Sequence, residues 1–298
     1  MVAQPLSGKK IALKIRDDLK IRVAHLKSHG VTPGLAVVLV GLDPASVSYV
    51  TAKERACEEI GILSYEHRLT PDVSQNTVMN LIKELNSDPR IHGILVQLPL
   101  PPHLEAQSLL RSIDPAKDVD GFHPMSIGKM LLGEDTFLSC TPFGIIKMLE
   151  SIDFNFVGAR VTIVGRSNIV GKPLALMLMQ SPFNCTVTVC HTKTKNLSER
   201  VQEADLVIAA VGRPGTVTAD MVKLGAVVVD VGVNRIEAPE HPRGFVLKGD
   251  TEYDELLSVA SYITPVPGGV GPMTITMLLY NTIKSAFLWS GLPFLEKL

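Results

Sequence analysis

The sequence has little of several features that mark particular classes of protein. Its 298 residues carry 29 Lys and Arg against 30 Asp and Glu, without a long run of one sign of charge. Nothing in this balance indicates a polyanionic partner such as nucleic acid, or an anionic membrane surface. The longest apolar runs, such as 206–211 and 226–229, have the length of a strand, far below the roughly 18 residues that a membrane-spanning helix needs. We therefore expect neither nucleic-acid binding nor a transmembrane helix.

Cysteine and targeting signals are also scarce. Cys57, Cys140, Cys185 and Cys190 form no C-x-x-C pair, so the sequence indicates neither a disulfide framework nor a zinc site. The first ten residues contain no apolar signal core and no Arg-rich amphipathic pattern. We expect a cytoplasmic protein with reduced cysteines and no bound metal.

Short apolar segments alternate with helical ones along the chain. They are rich in Val and Ile without strict polar alternation, which is typical of parallel strands that are covered on both faces. The predicted strands are 35–40, 94–98, 161–164, 186–190, 206–211 and 226–231. Their alternation with helices predicts an α/β fold.

The chain is predicted to form two domains with a cleft between them. The strand pattern weakens between Asp114 and Thr141, and a fresh series begins near Arg160, so a boundary near residue 140 is indicated. Residues 274–289 carry a broad apolar face at helical spacing, and we expect this helix to pack back on the N-terminal domain. The predicted domains are 1–140 plus 273–298, and 141–272.

A glycine turn follows the strand that ends at Val164. It runs from Gly165 to Gly171 and leads into a helix with Pro173 in its first turn. Such a unit directs free backbone N–H groups and the positive end of the helix dipole at a phosphate. Because Ser167 replaces the second glycine of G-x-G-x-x-G and the last glycine comes one position late, a plain packing turn stays an alternative.

The segment after the next strand, His191-Thr-Lys-Thr-Lys195, bears on the choice of dinucleotide. Enzymes that use NAD usually place an acid here for the ribose 2′-hydroxyl, and this segment has none. Arg166 in the glycine turn has the planar guanidinium that suits a phosphate. The sequence therefore favours NADP, with a solvated role for Lys193 and Lys195 as the alternative.

A helix is predicted over 45–60, opened by Asp43-Pro44 and ended by Gly61. Tyr49 and Lys53 lie four residues apart and so share one face. A lysine whose pKa is lowered by burial can transfer protons, and the phenol can bound the same pocket; a solvated helix face is the alternative. Short-chain dehydrogenases also use Tyr-x-x-x-Lys, but there the pair follows the glycine turn, whereas here it precedes the turn.

Three further segments carry polar or constrained residues. Gln97 lies at the end of an apolar strand, where it can orient a lysine or a substrate, or be a satisfied strand-end amide. Asp118 and Asp120 offer carboxylates to a polar heterocycle, and calcium is disfavoured because the further ligands of an EF-hand loop are missing. The prolines and glycines of 265–272 predict a rigid wall beside a ligand, or a rigid loop before the last helix.

These motifs, taken together, resemble one family over nearly the whole chain. They are Tyr49-x-x-x-Lys53, Val96-Gln-Leu-Pro99, Lys117-Asp-Val-Asp-Gly121, Gly165-Arg-Ser-x-x-Val-Gly-x-Pro173 and Pro265-Val-Pro-Gly-Gly-Val-Gly-Pro-Met-Thr274. The set resembles the bifunctional methylenetetrahydrofolate dehydrogenase/cyclohydrolase family. The resemblance implies an N-terminal α/β catalytic domain that binds folate, a Rossmann-like domain that binds NADP, and a homodimer.

The resemblance also implies the chemistry and the residues that perform it. 5,10-Methylenetetrahydrofolate is oxidised with NADP+, and the 5,10-methenyl product is hydrolysed to 10-formyltetrahydrofolate, in one-carbon metabolism and purine biosynthesis. Lys53 is the central catalytic residue, assisted by Gln97, Tyr49 and Asp120. The implied folate-binding positions are Tyr49, Val96, Gln97, Leu98, Asp120, Pro267, Gly268 and Gly271. The implied NADP-binding positions are Gly165, Arg166, Ser167, Ile169, Val170, His191, Thr192 and Val233.

Two other functions stay open at this point. An NADP-dependent dehydrogenase of a small amino or hydroxy acid explains the glycine turn, but it does not explain the lysine helix together with the proline-glycine segment. A non-catalytic nucleotide-binding module can keep the same fold. The presence of Tyr49, Lys53, Gln97 and Asp120 argues against such a module, since a sensor has no need of all four.

Overall fold

The computed structural model describes residues 2–241 and 244–294. The chain divides into two compact units. We call residues 13–140 with those from Ile275 onward the three-stranded unit, and residues up to Ala12 with 141–274 the six-stranded unit. In the part of the chain that is described, no helix is long and apolar enough to cross a membrane.

The strands, in chain order, are β1 (Gln4–Pro5), β2 (Gly34–Val40), β3 (Leu63–Leu69), β4 (Gly93–Val96), β5 (Arg160–Val164), β6 (Thr186–Cys190), β7 (Leu206–Ala209), β8 (Val227–Asp230), β9 (Asn234–Glu237), β10 (Phe245–Lys248) and β11 (Tyr262–Ile263). The helices are α1 (Gly8–Ser28), α2 (Pro44–Ile60), α3 (Gln75–Ser87), α4 (Ala106–Arg111), α5 (Pro124–Leu132), α6 (Cys140–Glu150), α7 (Gly171–Leu178), α8 (Leu197–Gln202), α9 (Tyr253–Leu256) and α10 (Val270–Ser290). A 3₁₀ turn spans Ala219–Met221. These elements confirm the predicted α/β fold class.

The three-stranded unit is built on a parallel sheet with the order β3-β2-β4. Every residue of β2 and β4 is buried, as their continuous apolar sequences predict. β4 ends at Val96, so Gln97 and Leu98 lie just beyond the strand instead of inside it. β3 was not predicted, because its sequence LSYEHRL mixes charged and apolar residues and only part of each side chain is buried.

Helix α2 confirms the prediction made from its end signals. The Asp43 side chain accepts a hydrogen bond from the Ser46 N–H at 2.8 Å, and Pro44 occupies the first turn. Gly61 ends the helix with a φ of 85° and donates its N–H to the carbonyl oxygen of Cys57 at 2.9 Å. Both ends are therefore fixed by local chemistry that the sequence displays.

The six-stranded unit holds a parallel sheet with the order β1-β11-β8-β7-β5-β6. The strand order reverses at β5, which has β6 on one side and β7 on the other. In open α/β sheets, ligands bind at the carboxyl ends of the strands where this reversal occurs. β9 and β10 form a separate antiparallel hairpin.

Two boundaries differ from the predictions. The first twelve residues group with the six-stranded unit, because β1 pairs with β11 through Gln4 opposite Tyr262. Helix α10 begins at Val270, four residues before the predicted start, so Gly271 lies in its first turn and not in a loop. Pro272 is compatible with this start, since the N–H groups of a first turn have no partner within the helix.

Candidate active site

Lys53 is buried in the three-stranded unit, with 7% of its surface exposed. The alternative of a solvated helix face is therefore wrong. Its Nζ donates to Gln97 Oε1 at 2.9 Å. The Gln97 Nε2 donates to the carbonyl oxygen of Leu98 at 2.6 Å, which turns the amide oxygen toward the lysine. The structure thus brings together the helix residue and the strand-end residue that the sequence singled out.

The charge state of Lys53 is shifted by its surroundings. Burial lowers the pKa of the Lys53 ammonium, and the nearby Asp120 carboxylate opposes the shift in part. Burial raises the pKa of Asp120, while Lys53 and a hydrogen bond with Cys140 act against that rise. A neutral amine is therefore more accessible to Lys53 than to an exposed lysine, which is the property that a proton-transfer group needs.

Two cysteines that the sequence assigned to packing border this group. Burial raises the pKa of the Cys140 thiol well above its usual range, and the Asp120 carboxylate adds to the effect. Cys57 lies one helical turn after Lys53, and burial raises its pKa to about 12. Both are neutral thiols at physiological pH. The spacing of four residues from Lys53 to Cys57 was a usable signal, whereas nothing in the sequence links Cys140 to Asp120.

Asn281 on α10 holds the main chain beside Asp120. Its Nδ2 donates to the carbonyl oxygen of Val119 at 2.7 Å and to that of Leu138 at 2.9 Å. Asn281 is buried, and the Val119 carbonyl oxygen accepts a second, weaker hydrogen bond from the Cys140 thiol at 3.3 Å. One amide thus ties together the segment that carries Asp120 and the segment that leads to Cys140.

Gly121 allows these two segments to approach closely. Its φ is 73°, and a Cβ there would lie 2.7 Å from both the Leu138 carbonyl carbon and the Ser139 nitrogen. The Ser139 hydroxyl donates to the Gly121 carbonyl oxygen at 2.9 Å. The Asp120 backbone is therefore fixed on both sides of the residue.

Asp118 has a different role from that of Asp120. Its carboxylate accepts hydrogen bonds from the His123 N–H at 2.8 Å, the Ser126 hydroxyl at 2.7 Å and the Phe122 N–H at 3.3 Å. It is buried, and burial raises its pKa to about 6. The expectation that both carboxylates of this loop face a ligand is wrong for Asp118, because its oxygens are used within the chain.

The other predicted folate positions differ in accessibility. In the three-stranded unit Tyr49 is 36% exposed, Leu98 is half-buried, and the Val96 side chain is buried in the sheet. Burial raises the pKa of the Tyr49 phenol. Val96 can therefore offer a ligand no side-chain contact in this structure, only its main chain.

The proline-glycine segment of the six-stranded unit runs from β11 to α10. Pro267 is exposed, and Gly268 has a φ of 105° with open space where a Cβ would point. The Gly268 carbonyl oxygen accepts a hydrogen bond from the Lys9 N–H at 3.0 Å. A Cβ on Gly269 would lie 2.6 Å from the Pro265 carbonyl oxygen. The segment is thus tightly folded on one side and open at Gly268.

The glycine turn in the six-stranded unit joins β5 to α7, as predicted. Gly165 has a φ of 126°, and a Cβ there would lie 2.1 Å from the carbonyl oxygen of Ala210. A Cβ on Gly171 would lie 2.1 Å from the Gly165 carbonyl oxygen. Both glycines are therefore required by close backbone approach, and the turn lies where the strand order of the sheet reverses.

Most side chains of this turn are exposed. Arg166, Ser167 and Ile169 are exposed, whereas Val170 is buried and packs inward. The Ser167 Oγ accepts a hydrogen bond from the Val170 N–H at 3.1 Å, which holds the turn. Arg166 is therefore available to an anion at this edge.

The segment after β6 carries exposed Thr192, Lys193 and Lys195 and a half-buried His191. The His191 Nδ1 accepts a hydrogen bond from the Lys193 N–H at 3.1 Å, so this segment is locally ordered. No acid lies within 191–196. These donors, with the tight glycine turn and Arg166, fit a dinucleotide that carries a 2′-phosphate. Val233, after β8, is 46% exposed.

The described residues contain no group of three or more His, Cys, Asp or Glu that could hold a metal ion.

The sequence analysis did not predict a buried acid pair in the six-stranded unit, Asp230 and Asp250. Their sequence neighbours, Val231-Gly232 and Gly249, give no sign that the Asp230 carboxylate accepts a hydrogen bond from the Asp250 N–H.

Comparisons with known proteins cover both parts of the chain. The family model described as tetrahydrofolate dehydrogenase/cyclohydrolase, catalytic domain, matches residues 6–120. The model described as tetrahydrofolate dehydrogenase/cyclohydrolase, NAD(P)-binding domain, matches residues 139–288. The bifunctional protein FolD of Halalkalibacterium halodurans is 53% identical over 286 residues, which cover 96% of this chain and 99% of that protein.

Solved structures give the same result. The bifunctional FolD enzyme of Campylobacter jejuni is 48% identical, with a TM-score of 0.90 and coverage of 95% of this chain and 98% of that one. The Trypanosoma brucei FolD, solved with NADP and an inhibitor, is 35% identical, with a TM-score of 0.93 and coverage of 98% and 99%.

Proposed function

This chain belongs to the tetrahydrofolate dehydrogenase/cyclohydrolase family, and from that membership and its buried lysine we infer a bifunctional one-carbon folate enzyme. It oxidises 5,10-methylenetetrahydrofolate with NADP+ to 5,10-methenyltetrahydrofolate. It then hydrolyses that cation to 10-formyltetrahydrofolate. The observation that carries the second reaction is the hydrogen bond from Lys53 Nζ to Gln97 Oε1 at a buried site beside Asp120.

NADP+, when bound, supplies the acceptor for the hydride that leaves the methylene carbon. The chain's task in this step is alignment, because no acid or base is needed at the transferred hydrogen. We propose that Gly165, Arg166 and Ser167 bind the dinucleotide phosphates, with Thr192 near the 2′-phosphate. Their exposure and the tight glycine turn support this assignment.

Hydrolysis demands proton transfer at defined atoms. Water adds to the methenyl carbon and must lose a proton; the product keeps its formyl group on N10, so the bond to N5 breaks and N5 gains a proton. We propose that neutral Lys53 Nζ accepts the proton of the attacking water and that its ammonium form returns a proton for ring opening. The hydroxyl proton of the adduct leaves to solvent as the formyl C=O forms, so a cation and water give a neutral formyl amide and one proton is released net.

The surroundings of Lys53 support that role. A cationic substrate disfavours a second positive charge nearby, so its arrival lowers the pKa of Lys53 further. Gln97 fixes the direction of Nζ through its amide oxygen. We propose that Asp120 accepts hydrogen bonds from the heterocycle and that Tyr49 bounds it. Asp120 opposes loss of the Lys53 proton, so the balance of burial and charge sets the charge state of the lysine.

The biological setting is also part of the proposal. A formyl donor of this kind serves purine biosynthesis, and the four buried free cysteines are those of a protein in a reducing compartment such as the cytoplasm. We propose a homodimer formed through the six-stranded unit. Strand β6 is an edge strand of its sheet, with exposed Thr186, Thr188 and Val189, and such an edge offers unpaired backbone groups.

The test is an assay of the purified protein with 5,10-methylenetetrahydrofolate and either NADP+ or NAD+, following reduced nicotinamide and methenyl-folate together. The expected result is reduction of NADP+ with little methenyl build-up and formation of 10-formyltetrahydrofolate. Accumulated methenyl-folate without formyl product would remove the hydrolytic half of the proposal. Absence of reduction with either dinucleotide would favour the small-acid dehydrogenase or the binding module instead.

A further inference from the structure

Two acids lie buried behind the carboxyl edge of the six-stranded sheet. Asp230 is 2% exposed and Asp250 is fully buried. No ion pair involves either carboxylate among the residues that the structure describes. Buried acids without a cation need hydrogen-bond donors, so the donors that they collect reveal what they hold in place.

Asp250 collects the backbone of the loop after β7. Its Oδ2 accepts hydrogen bonds from the Val211 N–H at 2.7 Å and the Gly212 N–H at 2.9 Å. Its Oδ1 accepts from the Asn234 Nδ2 at 2.8 Å. One carboxylate therefore links the end of β7 to the first residue of β9, directly after Val233.

Asp230 in turn holds Asp250. Its Oδ1 accepts from the Asp250 N–H at 2.8 Å and the Gly232 N–H at 3.0 Å. Its Oδ2 accepts from the Thr251 N–H at 2.8 Å and the Thr251 hydroxyl at 2.7 Å. Every donor comes from the main chain or a neutral side chain. The pair therefore holds the segments that follow β7, β8 and β10 together by hydrogen bonds.

Glycines allow the main chain to close around the two carboxylates. A Cβ on Gly232 would lie 2.2 Å from Asp250 Oδ1. A Cβ on Gly249 would lie 2.0 Å from Asp230 Oδ2. Any larger residue at Gly232 or Gly249 would overlap one of the carboxylates, so the loops can adopt this packing only with glycine at these positions.

The loop that Asp250 holds adjoins the glycine turn. The Ala210 carbonyl oxygen is the atom that a Cβ on Gly165 would strike, and the Ala210 N–H donates to the Val164 carbonyl oxygen at 2.8 Å. Val211 and Val233 are both partly exposed and apolar, and both are tied to Asp250, the first directly and the second through Asn234. They follow β7 and β8, the two strands that come after β5 on one side of the point where the strand order reverses.

We propose that Asp250 is a positioning residue for the dinucleotide: it fixes Val211 and Val233 as apolar contacts for a planar ring of the bound cofactor, and Asp230 fixes Asp250. The inference rests on the proposed function for the identity of the ligand. It concerns the strength of dinucleotide binding and not the folate chemistry.

The test is Asp250→Asn, with Asp254→Asn on α9 as a matched control at an exposed acid. The substituted amide must point an NH₂ group either at the Val211 and Gly212 N–H groups or at the Asn234 NH₂, so donors face donors. Fluorescence titration with NADP+ alone, well below the unfolding temperature, is expected to give a Kd raised about 10-fold. The control is expected to bind like the wild type.

A second variant keeps the test decisive if Asp250→Asn folds poorly. Asn234→Ala removes the link to Val233 and leaves the Val211 and Gly212 bonds, so its Kd for NADP+ is expected to rise by about 3-fold, a smaller loss than that of Asp250→Asn. Amide hydrogen exchange at Val211 and Gly212 is expected to quicken in Asp250→Asn and to stay slow in Asn234→Ala. A merely structural role lowers the melting temperature of folded Asp250→Asn but leaves its Kd unchanged, and that result would overturn the inference.

The two proposals fail separately. A wild-type protein that binds NADP+ but does not convert folate, with weaker binding in Asp250→Asn, would sink the proposed function and support the positioning role. Full folate turnover by the wild type, with an unchanged Kd for NADP+ in both variants, would support the proposed function and refute the positioning role of Asp250.

Discussion

The two units differ in whether a buried ionisable group is proposed to meet a ligand. In the three-stranded unit the buried Lys53 and the half-buried Asp120 are proposed to meet the folate, and desolvation shifts both of their pKa values. The buried Asp118 of that unit is used within the chain. In the six-stranded unit Arg166 is exposed, while the buried acids Asp230 and Asp250 are used on the protein's own backbone. A proton-transfer group needs a pKa close to the working pH, and burial can shift the pKa in that direction. Phosphate binding instead needs a permanent positive charge that the ligand can reach.

The largest effect is expected from removing the buried lysine. Lys53→Met keeps a side chain of similar length without the amine, so hydrolysis of methenyl-folate is expected to fall about 1000-fold, within the range of acid–base catalysis. Folate binding is expected to stay measurable. The assay follows methenyl-folate and 10-formyltetrahydrofolate together. Lys83→Met on α3 is the control at an exposed lysine; unchanged formyl production by Lys53→Met would remove Lys53 from the mechanism.

Titration of Asp118, a buried acid whose oxygens are used within the chain, is expected to make the stability of the protein depend on pH. Burial raises the folded pKa of Asp118 to about 6, against about 4 in an unfolded chain. Between these values the folded state keeps a proton that the unfolded state has lost, so stability falls as pH rises.

The size of this effect follows from the two values. Two pKa units correspond to about 3 kcal/mol. We expect the free energy of unfolding of the wild type, measured relative to Asp118→Asn by urea denaturation, to decline by up to that amount from pH 4 to pH 7. A constant difference between the two proteins over this range would show that Asp118 titrates normally.

Asn281 tests whether the position of Asp120 depends on α10. Asn281→Leu removes the amide donor to the Leu138 and Val119 carbonyl groups and leaves Val119 with the weaker Cys140 thiol, at a cost of about 2 kcal/mol in stability. It is also expected to raise the KM for folate more than it lowers kcat for NADP+ reduction, because Asp120 is proposed to bind the substrate. Thr282→Val is the control, since that hydroxyl donates only to Leu278 of its own helix. A loss of stability with unchanged KM would limit Asn281 to a structural role.

The smallest effect is expected at the exposed arginine. Arg166→Ala removes the proposed contact with the 2′-phosphate, which solvent screens, so the KM for NADP+ is expected to rise about 10-fold while that for NAD+ changes little. Arg160→Ala is the control at the opposite end of the same strand. Equal losses with the two dinucleotides would place Arg166 away from the 2′-phosphate.

Local signals made one part of this structure predictable. The caps at Asp43 and Gly61 defined α2, and the glycine turn after β5 defined the dinucleotide edge, because each signal and its consequence lie within a few residues. Gln97 was predicted from its strand end to orient a lysine or a substrate, whereas its pairing with Lys53 across 44 positions was implied by the family resemblance. The predictions of the helix and the glycine turn needed no knowledge of distant contacts.

The remaining features depend on contacts between distant parts of the chain. Asn281 donates a hydrogen bond to Val119 across 162 positions, and the sequence around an asparagine in an apolar helix does not indicate its partner. Asp250 reaches Val211 across 39 positions in the same way. Strand β3 was missed because its sequence lacks an apolar run, and its place at the edge of the sheet explains why it does not need one.

The most direct test of the contrast between the two units is the ionisation of Lys53 itself. Carbon-13 labelling of the lysine ε-positions, with Lys53→Met to assign the signal, allows its pKa to be read from chemical shift against pH. We predict that Lys53 titrates below the usual lysine value of about 10.4, because burial disfavours its ammonium form. A Lys53 signal that titrates at or above that value would contradict the proposed mechanism, because the site would then hold an ordinary ammonium group and no base for hydrolysis.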